Sequence, residues 1–125
     1  MKILPLTGLA FLLLLVAPPG GAQLMTERYV PIGESPGISG KESTMGEITA
    51  VDRAARTLTV AGDGGAREYR VTADTHVWLD RTRWRLSNTD GSYSDCEVGD
   101  YVEVMHSADD PAVAAWVKVR TRGAR

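Results

Sequence analysis

Short runs of alternating apolar and polar residues, separated by clusters of Gly, Asp and Asn, constrain this 125-residue chain more than any other feature. They begin at Gly46-Glu47-Ile48-Thr49-Ala50-Val51-Asp52. They continue through Leu58-Thr59-Val60, Tyr69-Arg70-Val71-Thr72, Gly99-Asp100-Tyr101-Val102-Glu103-Val104 and Val113-Ala114-Ala115-Trp116-Val117-Lys118-Val119. Successive side chains on a strand point to opposite faces, so a period of two marks strands with one buried side. Beyond the first 22 residues, no window of 12 or more carries the apolar stripe of an amphipathic helix. The expected fold class is all-β.

The turn residues divide these runs. Asp52-Arg53-Ala54-Ala55-Arg56 makes one turn and Asp109-Asp110-Pro111 another. Gly62-Asp63-Gly64-Gly65 reads as a hairpin, because these residues reach positive φ cheaply. A fourth strand is expected over 75–80, a fifth over 101–106 and the last over 112–121. Alternation assigns Ile48 and Ala50, Leu58 and Val60, Tyr69 and Val71, Val77 and Leu79, and Val102 and Val104 to buried faces, together with Val113, Ala115, Val117 and Val119. Arg81-Thr82-Arg83-Trp84-Arg85 alternates as a strand would, and residues 87–95 read as a polar loop. Five or six antiparallel strands over 44–121 predict a small OB-like barrel, since closure removes exposed edges. An open sandwich is the alternative.

The N-terminal segment is of another kind. Met1-Lys2 is a minimal positive start, Ile3–Val16 is apolar and Leu-rich, and Pro18-Pro19-Gly20-Gly21-Ala22 breaks the run. This reads as a signal peptide cleaved after Ala22. The 14-residue apolar stretch is shorter than the ~20 residues that span a bilayer. Export to the periplasm or medium of a bacterium is expected, with no membrane span after cleavage; 11 Arg against 3 Lys suits a GC-rich bacterial source. Removing residues 1–22 leaves 103, one domain's worth, with 13 basic and 16 acidic side chains and a net charge of −3. Residues 23–43 hold Pro31, Gly33, Pro36, Gly37 and Gly40, which block regular structure, so they read as an arm or linker. Residues 122–125 are a short basic tail.

Gly46-x-Ile48-x-x-Val51-Asp52, Leu58-Thr59-Val60, Tyr69-x-Val71-Thr72, Asp74-Thr75, Val98-Gly99-Asp100-x-Val102-x-Val104 and the closing Val117-x-Val119 together resemble the DUF5666 family of exported small β-domains. The resemblance covers roughly residues 44–121 and departs between Asp80 and Val98, where an Arg/Trp-bearing insert stands. With Ala114/Ala115 completing the closing motif before Val117-x-Val119, it implies the fold and export. It implies no activity, site residues or cofactor.

Few residues suggest chemistry. His76, His106 and Cys96 are the candidate metal ligands, with Asp80 or Asp109 nearby, but none stands in a ligand-spaced motif. Cys96 is alone, hence without an internal disulfide partner, and reads first as a small packed residue. No nucleophile, base and orienting carboxylate converge on one segment, so an enzyme is not expected. Net negative charge and export argue against nucleic acid as a partner.

The remaining feature is apolar bulk on the outer wall. If Val102, Val104, Val117 and Val119 face inward, then Tyr101, Met105 and Trp116 face outward, and Trp78 is likewise opposed to Val77 and Leu79. Exposed aromatics favour recognition. The leading expectation is a non-catalytic module that binds an envelope or secreted protein, or a second copy of itself. Its contacts would be Trp116, Trp78, Tyr101 and Met105 and the insert residues Arg81, Arg83, Trp84 and Arg85. The arm, through Tyr29, Val30 and Ile32, is the competing cover for that wall. The alternative function is a small-ligand or metal-binding protein using His76 and His106 at the barrel mouth.

Overall fold

A computed structural model describes residues 26–123; the expected signal peptide and its expected cut after Ala22 lie outside the described residues. Seven strands form one sheet: β1 (Ser43–Asp52), β2 (Thr57–Gly62), β3 (Gly65–Arg70), β4 (His76–Asp80), β5 (Thr89–Asp90), β6 (Tyr101–His106) and β7 (Ala114–Arg120). Their order is β3-β2-β1-β6-β7-β4-β5. The all-β expectation holds. The count of five or six antiparallel strands does not, because the sheet is mixed: β4 runs parallel to β7.

The strand beyond the expected six is β5, two residues within the segment expected as a polar loop, paired antiparallel to β4. The Arg70 N–H donates to the Ala112 carbonyl at 2.8 Å, and Arg70 forms a parallel bridge with Val113. The end of β3 thus reaches the start of β7 and curls the sheet into a barrel-like ring. After an interruption at 71–75, the chain continues along the same edge of β7 as β4, with His76 opposite Trp116. Thr75 fixes the interruption: its hydroxyl accepts from the Thr72 N–H (3.0 Å) and donates to the Ala114 carbonyl (2.7 Å). β3 and β4 are separate strands, as expected; the parallel pairing of β4 with β7 is what alternation alone does not register.

The enclosed core contains Ile48, Leu58, Val60, Tyr69, Val71, Val77, Leu79, Val102, Val104, Val117 and Val119, as the alternation predicts. Two bulges shift the phase elsewhere. In β1 the register slips between Ile48 and Ala50, so Val51 packs against the core and Ala50 is exposed. Opposite β6 it slips between Met105 and His106, so Ala114 joins the core while Ala115 is half-buried. The 62–65 hairpin forms with Gly62 paired to Gly65, and its positive φ (108°) falls on Gly65. The predicted strand over 81–85 is instead a single 3₁₀ turn, Thr82–Trp84, closed by Arg85 at φ 56°. Arg81, Arg83 and Arg85 therefore do not share a strand face.

Candidate functional site

The face of β6, β7 and β4 turned away from the core carries three cross-strand rows: Met105–Trp116–His76, Glu103–Lys118–Trp78, and Arg120–Asp80 beside Tyr101. The outward direction assigned to Trp116, Trp78, Tyr101 and Met105 is correct. Their exposure is not. Trp116 and Trp78 are buried and packed ring to ring, with centroids 5.8 Å apart, and Tyr101 and Met105 are half-buried. The arm lies over this wall.

The arm is held by charge and hydrogen bonds rather than by the apolar residues that its sequence offers. Tyr29 is 57% exposed; Ile32 is buried and Val30 half-buried. Lys118, fully buried in the middle of β7, sends its Nζ to Glu27 Oε1 (2.7 Å), the Val30 carbonyl (2.8 Å) and Ser35 Oγ (3.2 Å). Ser35 Oγ also donates to Glu27. Glu103, equally buried, accepts from the Gly33 N–H (2.9 Å) and from the hydroxyls of Ser39 (2.7 Å) and Ser43 (2.6 Å). Buried ions persist only with such complete sets of partners. Consecutive tight turns over 26–43 supply these groups, with Gly33, Gly37 and Gly40 at positive φ.

Asp80 joins the arm to the insert. Its Oδ2 accepts from the Ile32 N–H at 2.9 Å, while Oδ1 accepts from the Thr82 N–H (2.9 Å) and hydroxyl (2.6 Å). The Arg81 N–H donates to Asn88 Oδ1 (2.9 Å) and its Nε to the Ser87 carbonyl (2.7 Å), so Arg81 braces the loop. Arg83, Trp84 and Arg85 project to solvent. The Trp84 indole reaches the Thr121 carbonyl at 3.4 Å and leaves the side chain 42% exposed.

The candidate metal ligands do not converge. Cys96 belongs to the core, whereas His76 stands exposed on the opposite face, stacked on Trp78 at 5.6 Å. His106 is half-buried with Nδ1 3.0 Å from the Ser107 carbonyl. Among the described residues, no group of three or more His, Cys, Asp or Glu side chains is placed to hold a metal ion.

Burial pushes the Cys96 thiol up from 9.0 to about 12, with smaller contributions in the same direction from Asp100 and Asp95. The folded thiol stays protonated while the unfolded one ionises. Stability should therefore fall as pH rises from about 9 towards 12, in addition to any general alkaline loss. A thiol reagent at pH 8 should label Cys96 only after unfolding, and Cys96→Ala should flatten that alkaline limb. Labelling of the native protein at the rate of a free thiol would contradict this placement.

One end of the molecule remains open. Four large apolar side chains are exposed among the described residues: Tyr29, Trp84, Leu86 and Val98. Trp84 bonds to Thr121, Leu86 follows in the same turn, and the Val98 carbonyl accepts from Arg122 at 3.0 Å. Trp84 and Val98 thus both meet the start of the C-terminal segment, at Thr121 and Arg122. None of Leu86, Val98, Arg120 and Arg122 is a candidate site residue by sequence; Val98 stands there only in the family resemblance and Arg122 only in the basic tail. The only signal for them was the Arg120-x-Arg122 spacing at the end of a strand.

Compared with known proteins, the chain matches no family model and no curated protein. Among solved structures it is similar to a tryptophan-to-alanine variant of CusF from Escherichia coli, a structure described with Cu(II). The identity is 13% and the TM-score 0.40, over 63% of this chain and 90% of that one. None of the described residues forms a helix long and apolar enough to cross a membrane.

Proposed function

We propose that this is an exported, non-catalytic β-module of OB-like topology, of the kind that the DUF5666 resemblance implies. It binds a protein partner through the corner formed by Arg83, Trp84, Leu86 and Val98. One observation carries the reading: the aromatic wall is already occupied by the arm, while Trp84 stays exposed against Thr121 and the exposed Val98 is tied through its carbonyl to the neighbouring Arg122. A rigid sheet that presents a short irregular insert is a common way to display a recognition surface. Exposed Trp beside Arg is the composition favoured at the energetic centre of interfaces.

The test is a pull-down from envelope extract with the purified protein as bait and Trp84→Glu as control. Trp84 is exposed, so this variant should fold normally yet lose the partner. Trp116→Glu is no substitute, because it would bury a carboxylate under the arm and disturb the fold. A captured protein retained equally by a folded Trp84→Glu variant would overturn the assignment of the corner.

A further inference from the structure

We infer that the pocket beside this corner is a carboxylate site, and that the partner presents an acidic segment to it. The inference rests on the interaction reading above and adds the chemistry of the partner. The pocket measures about 130 Å³ and is lined by Arg83, Arg120, Arg122, Tyr101 and Asp100, among others. The three guanidinium groups come from separate places in the fold: the last turn of the 3₁₀ segment, the end of β7, and the residue two positions beyond it.

Three cations drawn together repel one another unless anions answer them, and here the answer is incomplete. Asp100 pairs with Arg122 alone, Oδ1 to Nε at 2.7 Å, while its Oδ2 accepts from the Glu97 N–H at 3.0 Å. Arg120 lies over the Tyr101 ring with its guanidinium carbon 4.5 Å from the centroid, which positions the group without neutralising it. The cross-strand neighbour of Arg120, Asp80, turns both oxygens to Ile32 and Thr82. Arg83 is exposed and forms no ion pair among the described residues. Glu97 is exposed and is not part of the lining. The pocket thus offers three guanidinium groups and one carboxylate, and planar guanidinium groups take carboxylates in paired hydrogen bonds.

The surroundings choose between a small anion and a peptide. Trp84 and Val98 flank the arginines and give a free ion nothing to bury. They suit a segment in which acidic side chains alternate with apolar ones.

The experiment titrates the purified protein with the peptide Leu-Glu-Glu-Leu-Glu-Glu, its Gln counterpart, acetate and inorganic phosphate. Tryptophan fluorescence is the readout: Trp78 and Trp116 are buried, so the solvent-sensitive signal belongs to Trp84. The acidic peptide should give a saturable change that weakens with added salt, as screening of exposed charges requires. The Gln peptide should give none. Arg83→Ala combined with Arg120→Ala should weaken the acidic peptide about tenfold or more, and Arg67→Ala on β3 should leave it unchanged. Equal binding of the Gln peptide, indifference to the double substitution, or saturation by phosphate that the acidic peptide cannot compete away would overturn the inference. If the acidic peptide fails while Trp84→Glu still loses the captured partner, the corner stands and the acidic chemistry falls. If Trp84→Glu keeps the partner, the corner itself falls.

Discussion

Lys118→Ala should destabilise the protein by about 3–5 kcal/mol, the range for removing one member of a buried, hydrogen-bonded ion pair. Lys118 is fully buried and its Nζ serves three groups of the arm, so the substitution leaves the arm's Glu27 buried without its cation. It also removes the bond that holds the Val30 carbonyl. The midpoint of thermal unfolding should fall by about 15 °C or more. The urea m-value should drop as well, because an undocked arm no longer contributes buried surface. Combining Lys118→Met with Glu27→Gln removes both charges and should recover a large part of the loss, since the cost lies mainly in the stranded partner. A Lys118→Ala variant within 1 kcal/mol of wild type, with unchanged m, would show that the pair does not secure the arm.

This network also marks the limit of what the sequence discloses. Ile48, Leu58, Val60, Val102, Val104, Val117 and Val119 are legible as core because a strand period needs no tertiary information. The faces of Trp116 and Trp78 are legible for the same reason. What covers a face is not. Glu103 and Lys118 alternate with valines as solvent-facing charges ordinarily do, and nothing local distinguishes them from an exposed pair. Their burial depends on Gly33, Ser35, Ser39 and Glu27, 64 or more positions away, arriving with matching donors and acceptors. The arm's own sequence misleads in the opposite sense: Tyr29 looks like its anchor and is exposed, whereas Glu27 and Ser35 look solvated and are buried.

The parallel strand and the corner are hidden for related reasons. Arg70 pairs with both Thr57 and Val113, and the switch of partner that lets β4 run parallel to β7 is set by ring closure. The Arg81–Arg85 alternation is a real pattern, but Asp80 accepts from Thr82 and winds the backbone into a 3₁₀ turn before a strand can form. That turn brings Trp84 against Thr121 and places Arg83 near Arg120 and Arg122. The candidate site therefore arises from the failure of a predicted strand, and its members are separated by about 40 residues of sequence, a spacing that no motif rule joins.

Gly46→Ala should be among the most damaging single-methyl changes in this fold, with a loss of about 3 kcal/mol, at the upper end of overpacking. β1 changes partners at this point: residues 43–47 pair with β6, and from Glu47 onward the strand also pairs with β2. The bend brings the two backbones so close that a Cβ on Gly46 would stand 1.9 Å from the Ala61 carbonyl oxygen and 2.7 Å from its carbon. The obstacle is main chain inside a ladder, which cannot rotate aside as a side chain can. Ordinarily Gly→Ala in a strand is favourable by about 0.4–1 kcal/mol, because it reduces the freedom of the unfolded chain; here the clash exceeds that gain. Gly62 provides the contrast. Its added Cβ would meet the Thr44 methyl at 2.7 Å, a side-chain contact that a rotamer change can relieve, so Gly62→Ala should cost clearly less. Urea denaturation of the two variants separates the cases. Equal losses, or a Gly46→Ala variant as stable as wild type, would mean that β1 and β2 can part without cost at this closest approach.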